Sequence, residues 1–138
     1  MKYRLVVMAL ALAAASIAAA QAANPAEKQA EQSATQWLAL IDNGNYGKSW
    51  DDAATSFKGH VTKPSWEQAV KAVREPLGAL TSRHLKSATY STQLPGAPDG
   101  KYVVIKFDTK FKNKADAVET ITPMLDHGVW KVSGYYIR

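Results

Sequence analysis

The second half of this chain suits extended backbone and little else. Three runs, residues 102–111, 117–125 and 129–138, are dense in β-branched and aromatic side chains, the types that fit a pleated, half-buried surface. The first alternates cleanly. Val103, Ile105, Phe107, Thr109 and Phe111 point to one side, and Tyr102, Val104, Lys106, Asp108 and Lys110 to the other. The last run, Val129-Trp130-Lys131-Val132-Ser133-Gly134-Tyr135-Tyr136-Ile137-Arg138, places Trp130 and Val132 on one face. Short polar turns join the runs. Lys112-Asn113-Lys114 is the first, and Asp126-His127-Gly128 reads as a three-residue hairpin loop with Gly128 in the left-handed position. Pro123 implies an edge or a bulge in its strand. A further strand, from Ser82 or Arg83 to Leu94, alternates poorly, which fits a long, bent or edge strand with a bulge. Pro95-Gly96-Ala97-Pro98-Asp99-Gly100 is a loop.

An antiparallel sheet with one apolar face needs a cover, and the first half supplies it. A helix is expected over 26–43, because Ala30, Ala34, Trp37, Leu38 and Ile41 form one stripe and Gly44 can end it. Asn45 can cap a second helix whose apolar face holds Tyr46, Trp50, Ala53, Ala54 and Phe57. A third starts at Thr62 or Ser65, buries Trp66, Ala69, Val70 and Val73, and stops at Glu75-Pro76. The expected fold is α+β: three N-terminal helices packed on a curved antiparallel sheet of about four strands.

The chain opens with Met1-Lys2-Tyr3-Arg4, an apolar run from Leu5 to Ala20, and the small-residue site Ala20-Gln21-Ala22. That order is a secretory signal peptide cleaved after Ala22. The apolar run falls short of the roughly 20 residues a spanning helix needs. Residues 23–138 then form a single domain, and no membrane span remains after cleavage. Loss of Lys2 and Arg4 lowers the net charge from +5 to +3, which does not call for nucleic acid. The absence of cysteine excludes disulfides, thiolate metal sites and a cysteine nucleophile. The expected location is the periplasm of a Gram-negative bacterium.

Candidate chemistry is sparse. His60, His84 and His127 lack metal-ligand spacing, so no metal and no cofactor is expected. His60 and His127 read as exposed polar residues, and His84 as the histidine that faces a cavity. Asp108 shares its strand face with Lys106 and Lys110, as a solvated face does. Glu119 shares parity with Ile121 and Leu125 and can point inward, where a buried carboxylate can act as a base, but the turn before it favours a place at the rim. No serine sits in a nucleophile motif. The aromatic set says more. Trp37, Trp66, Phe107 and Trp130 come from separate elements and are the expected wall of an apolar ligand cavity, although most such residues simply fill a core.

Trp66-Glu67-Gln68-Ala69, Arg74-Glu75-Pro76-Leu77-Gly78, Arg83-x-Leu85-Lys86-Ser87-Ala88, Leu94-Pro95-Gly96-Ala97-Pro98-Asp99-Gly100-x-Tyr102-Val103-Val104 and Trp130-x-Val132-Ser133-Gly134-Tyr135-Tyr136 resemble a family of small exported bacterial proteins, domain of unknown function 4019. The order of helices and sheet is also similar to the cone-shaped nuclear transport factor 2-like superfamily. That likeness implies a pocket between helices and sheet, in which some members carry acid–base residues while others only bind or assemble. The function expected is therefore an exported binding or interaction domain, with a small apolar molecule or an envelope protein as partner. The alternative is a small isomerase- or dehydratase-like enzyme with His84 or Glu119 as base, and a homodimer through the outer sheet face is a third arrangement.

Overall fold

The structure, a computed structural model, describes residues 24–138; the expected signal peptide lies outside the described residues. Among the described residues four helices precede four strands: α1 (Pro25–Asp42), α2 (Tyr46–Asp51), α3 (Thr55–His60), α4 (Lys63–Leu77), β1 (Leu80–Ser91), β2 (Tyr102–Phe111), β3 (Lys114–Asp126) and β4 (Val129–Ile137). The strands form one open antiparallel meander in the order β1-β2-β3-β4.

The α1 stripe is the one its spacing predicts. Ala30, Ala34, Trp37, Leu38 and Ile41 are its buried residues, Asn24 caps the first turn by accepting from the Ala26 N–H at 3.0 Å, and Gly44 follows at φ 77°. The stripe meets Val103, Ile105, Phe107, Ile121 and Val132 of the sheet, together with Val70 of α4, in one core.

The helix count differs from expectation. The second helix divides into α2 and α3 because the sheet competes for its backbone. The Ala54 N–H donates to the Val132 carbonyl of β4 at 2.8 Å, and the Thr55 N–H donates to the Asp126 carboxylate of β3, also at 2.8 Å. Those donors are lost to an α-helical ladder, so the chain breaks between Asp51 and Thr55. In α4 the proline does not stop the helix. It continues through Pro76 to Leu77, where Asn113 takes the Pro76 and Leu77 carbonyls at 3.0 and 2.9 Å. The apolar stripe of α4 is covered only in part: Val70 is buried, Trp66 is half-buried, and Ala69 and Val73 remain exposed.

In the sheet, β2 has the expected bounds and the expected buried parity. Tyr102, assigned to the outer side, is nevertheless buried: the 95–100 loop folds over it, its hydroxyl donates to the Pro98 carbonyl at 2.7 Å, and a Cβ at Gly100 would stand 3.2 Å from its ring. Edge strand β1 carries register shifts at Leu80/Ser82 and Leu85/Ser87, which explains its broken alternation. Pro123 sits at a shift between β3 and β4. The β3–β4 connection has two residues, not three. Asp126 pairs with Val129, and His127 (φ 50°) and Gly128 (φ 82°) make the turn, as a primed hairpin turn requires.

Candidate functional site

Two features stand apart from ordinary core. The first is a buried charge network joining both layers. Arg83 of β1 lies between two carboxylates. It donates to Asp42, at the end of α1, through both terminal nitrogens at 2.7 and 2.9 Å, and to Glu119 of β3 through Nε at 2.7 Å and a terminal nitrogen at 3.2 Å. Arg74 of α4 donates to the same Asp42 at 3.0 Å and stacks 4.6 Å from the centroid of the Phe111 ring. Thr109 donates to Oε1 of Glu119 at 2.7 Å, and the Tyr135 hydroxyl donates to Oε2.

Glu119 therefore points inward, on the side its parity allows and not at the rim expected from the turn before it, with no exposed surface. Each of its oxygens takes two donors, which fills the roughly four acceptor positions of a carboxylate. Burial opposes the charge of Arg83, but the hydrogen bonds to Asp42 and Glu119 outweigh it and raise the guanidinium pKa above its ordinary value. Burial first, and then the neighbouring Glu119 charge, pushes the Tyr135 phenol up as well. Two guanidinium groups face two carboxylates, so the network balances its own charge. Among the described residues, Arg74 Nε is the buried side-chain polar atom without a partner.

The second feature is a cleft of about 520 Å³ between α3, the start of α4 and the 95–100 loop. Phe57, Val61, Trp66 and Tyr102 form its apolar wall, with Ala97 and Pro98 from the loop. Phe57 and Trp66 meet edge to face at 4.9 Å, and Trp66 stands 6.0 Å from Trp37 behind it. The polar groups of the wall are already engaged. Trp66 Nε1 donates to the Ser49 hydroxyl at 2.9 Å, Ser133 donates to the Thr122 carbonyl at 2.7 Å, and His60 Nδ1 lies 2.6 Å from the Ser56 carbonyl. The cleft thus offers ring faces and few free donors.

Of the expected cavity residues, Trp66 lines this cleft. Trp37 is buried, bonds the Ser49 carbonyl at 2.8 Å, and edges a separate depression with Ser33, Gln36 and Leu40. Phe107 is core, and Trp130 packs half-buried against that core. Phe57 and Tyr102, which are not among those four, complete the aromatic wall. His84 does not join Glu119: it is exposed on β1 opposite Asp108, in a shallow depression shared with Lys110 and Asp116. Among the described residues no group of three or more His, Asp or Glu is placed to hold a metal ion, and no helix is long and apolar enough to cross a membrane.

The family model described as Protein of unknown function (DUF4019) matches residues 33–135. The chain belongs to this family. The matched span starts within α1 and ends at Tyr135, so it contains the DUF4019 chain's whole charge network and the whole cleft wall. No curated protein matches the sequence.

Proposed function

We propose that this DUF4019 chain is an exported binding domain whose aromatic cleft holds a small apolar molecule, and that it binds rather than converts it. The observation that carries the reading is the 520 Å³ cleft walled by Phe57, Trp66 and Tyr102, within the range of about 300–1,000 Å³ of small-molecule sites. Because the wall's indole, phenol and hydroxyl donors are engaged internally, an apolar body fits it better than a polar one. The carboxylate best placed to serve as a base, Glu119, is saturated with donors and has no exposed surface. Export rests on the composition of residues 1–22, and in a cell with two membranes it places the chain in the periplasm. The fold reading that accompanies this proposal is the cone-shaped nuclear transport factor 2-like architecture.

The neutral fluorophore N-phenyl-1-naphthylamine tests the cleft. Its emission is expected to rise on adding the protein and to be displaced by an apolar extract of the host envelope. Ala97→Trp, which fills the cleft from a loop, is expected to weaken binding at least tenfold with an unchanged far-UV spectrum. No rise in emission, or full binding by the folded variant, would overturn the reading.

A further inference from the structure

The two halves of β4's outer edge are treated differently. In the first half the chain covers its own edge: the Ser33 hydroxyl donates to the Trp130 carbonyl at 2.6 Å, and the Ala54 N–H donates to the Val132 carbonyl. In the second half Arg138 exchanges both backbone hydrogen bonds with Val118 of β3, each at 3.0 Å. Antiparallel pairing alternates, so Tyr135 and Ile137 direct their N–H and C=O groups away from β3. Among the described residues neither has a backbone partner on that side.

That open edge borders a groove of about 200 Å³ whose opposite wall is α4. Ala69, Val70 and Val73 line it, facing Tyr135, Tyr136 and Ile137. Val73 is 50% exposed and Tyr136 51%, so the uncovered part of the α4 stripe and the uncovered part of β4 meet here. Arg74 also lines the groove, but Asp42 neutralises it, and the network behind it is balanced. The groove therefore combines apolar walls, a lining whose charged side chain is neutralised, and main-chain donors and acceptors spaced two residues apart; the Arg138 guanidinium stands beside it, 5.8 Å from the Tyr136 ring centroid.

We propose that this groove binds an extended, uncharged, apolar segment of a partner protein, which adds to β4 as a fifth strand. Alternating donors and acceptors along a strand edge are complementary to another backbone, and the apolar walls receive every second side chain. The apolar lining, with Arg74 neutralised by Asp42, favours an apolar segment over a charged one. This site is independent of the cleft; Trp66 lines both and separates them.

The test is selection of random linear decapeptides on the full chain, followed by hydrogen exchange of each complex. Selected peptides are expected to alternate apolar residues, to slow exchange of the Tyr135 and Ile137 amides at least tenfold, and to lose at least tenfold in affinity for Val73→Asp. Ala97→Trp, which blocks the cleft, is expected to leave them bound. A second substitution, Ala69→Asp, repeats the test should Val73→Asp fail to fold. A library that yields no binder, binders that protect the cleft instead, or protection of the two amides that appears on concentrating the chain alone, as self-pairing would give, would overturn the proposal.

Discussion

Asp126, the last residue of β3, holds the first turn of α3 through Thr55. One carboxylate oxygen accepts both the Thr55 N–H at 2.8 Å and the Thr55 hydroxyl at 2.9 Å, while the other lies 2.6 Å from His127 Nδ1. Asp126 thus caps a helix 71 residues away in sequence and is no ordinary hairpin residue. Asp126→Ala is expected to cost about 1–2 kcal/mol in denaturant melts, the size of a lost N-cap. A loss under about 0.5 kcal/mol would mean that the contact is not stabilising.

The same carboxyl gives a pH dependence. The Thr55 backbone hydrogen bond, then the Thr55 hydroxyl, holds its pKa down at about 2, against about 3.9 in an unfolded chain. A depressed carboxyl contributes stability above the unfolded value and loses it as pH falls through the folded one. Between about pH 4 and pH 2, the wild type is expected to lose more stability than Asp126→Asn. Parallel curves for the two would contradict this.

The charge network makes a double-substitution prediction. Glu119→Leu alone removes one of the two carboxylates that hold Arg83, and is expected to cost about 3–5 kcal/mol, as breaking a buried pair does. Arg83→Met alone strands Glu119 and is expected to fall in the same range of about 3–5 kcal/mol. The double variant is expected to recover most of the loss, because two matched apolar side chains replace a matched ion pair. Simple additivity of the two losses in urea melts would refute the coupling.

The tryptophans are expected to separate by burial. Trp37→Ala, with its ring in the core and its N–H bonded to Ser49, is expected to cost about 3–5 kcal/mol. Trp130→Ala is expected to cost less, because Trp130 is half-buried. Equal losses would place Trp130 deeper than it lies here.

Much of the fold was legible wherever one element decides its own structure. The α1 stripe and the β2 alternation follow from local spacing. The parity of Glu119 allows an inward side chain, but the turn before it favours the rim, and its tertiary donors Arg83, Thr109 and Tyr135 decide the matter. Decisions made by tertiary partners were not legible. Nothing local marks Asp51–Thr55 as a break, since the competing acceptors, the Val132 carbonyl and the Asp126 carboxylate, lie more than seventy residues on. The bulges in β1 hid which of its side chains turn inward, and with them Arg83. Two signals were present but open to other readings: an arginine among small polar residues on a strand, and a glycine two positions before Tyr102, where the loop approaches its ring. The spacing of Phe57 marks it as apolar, but the division of its helix places it on the wall of the cleft.

Arg83 ties a helix end to an interior strand and so limits how this sequence can drift. Asp42, Arg74, Arg83 and Glu119 form a closed set of charges in which each member answers for another. A lineage that replaces one of them strands its neighbour, so accepted changes should arrive as exchanges of several positions together. In an alignment of relatives these four sites would vary as a block, with intermediates seldom sampled.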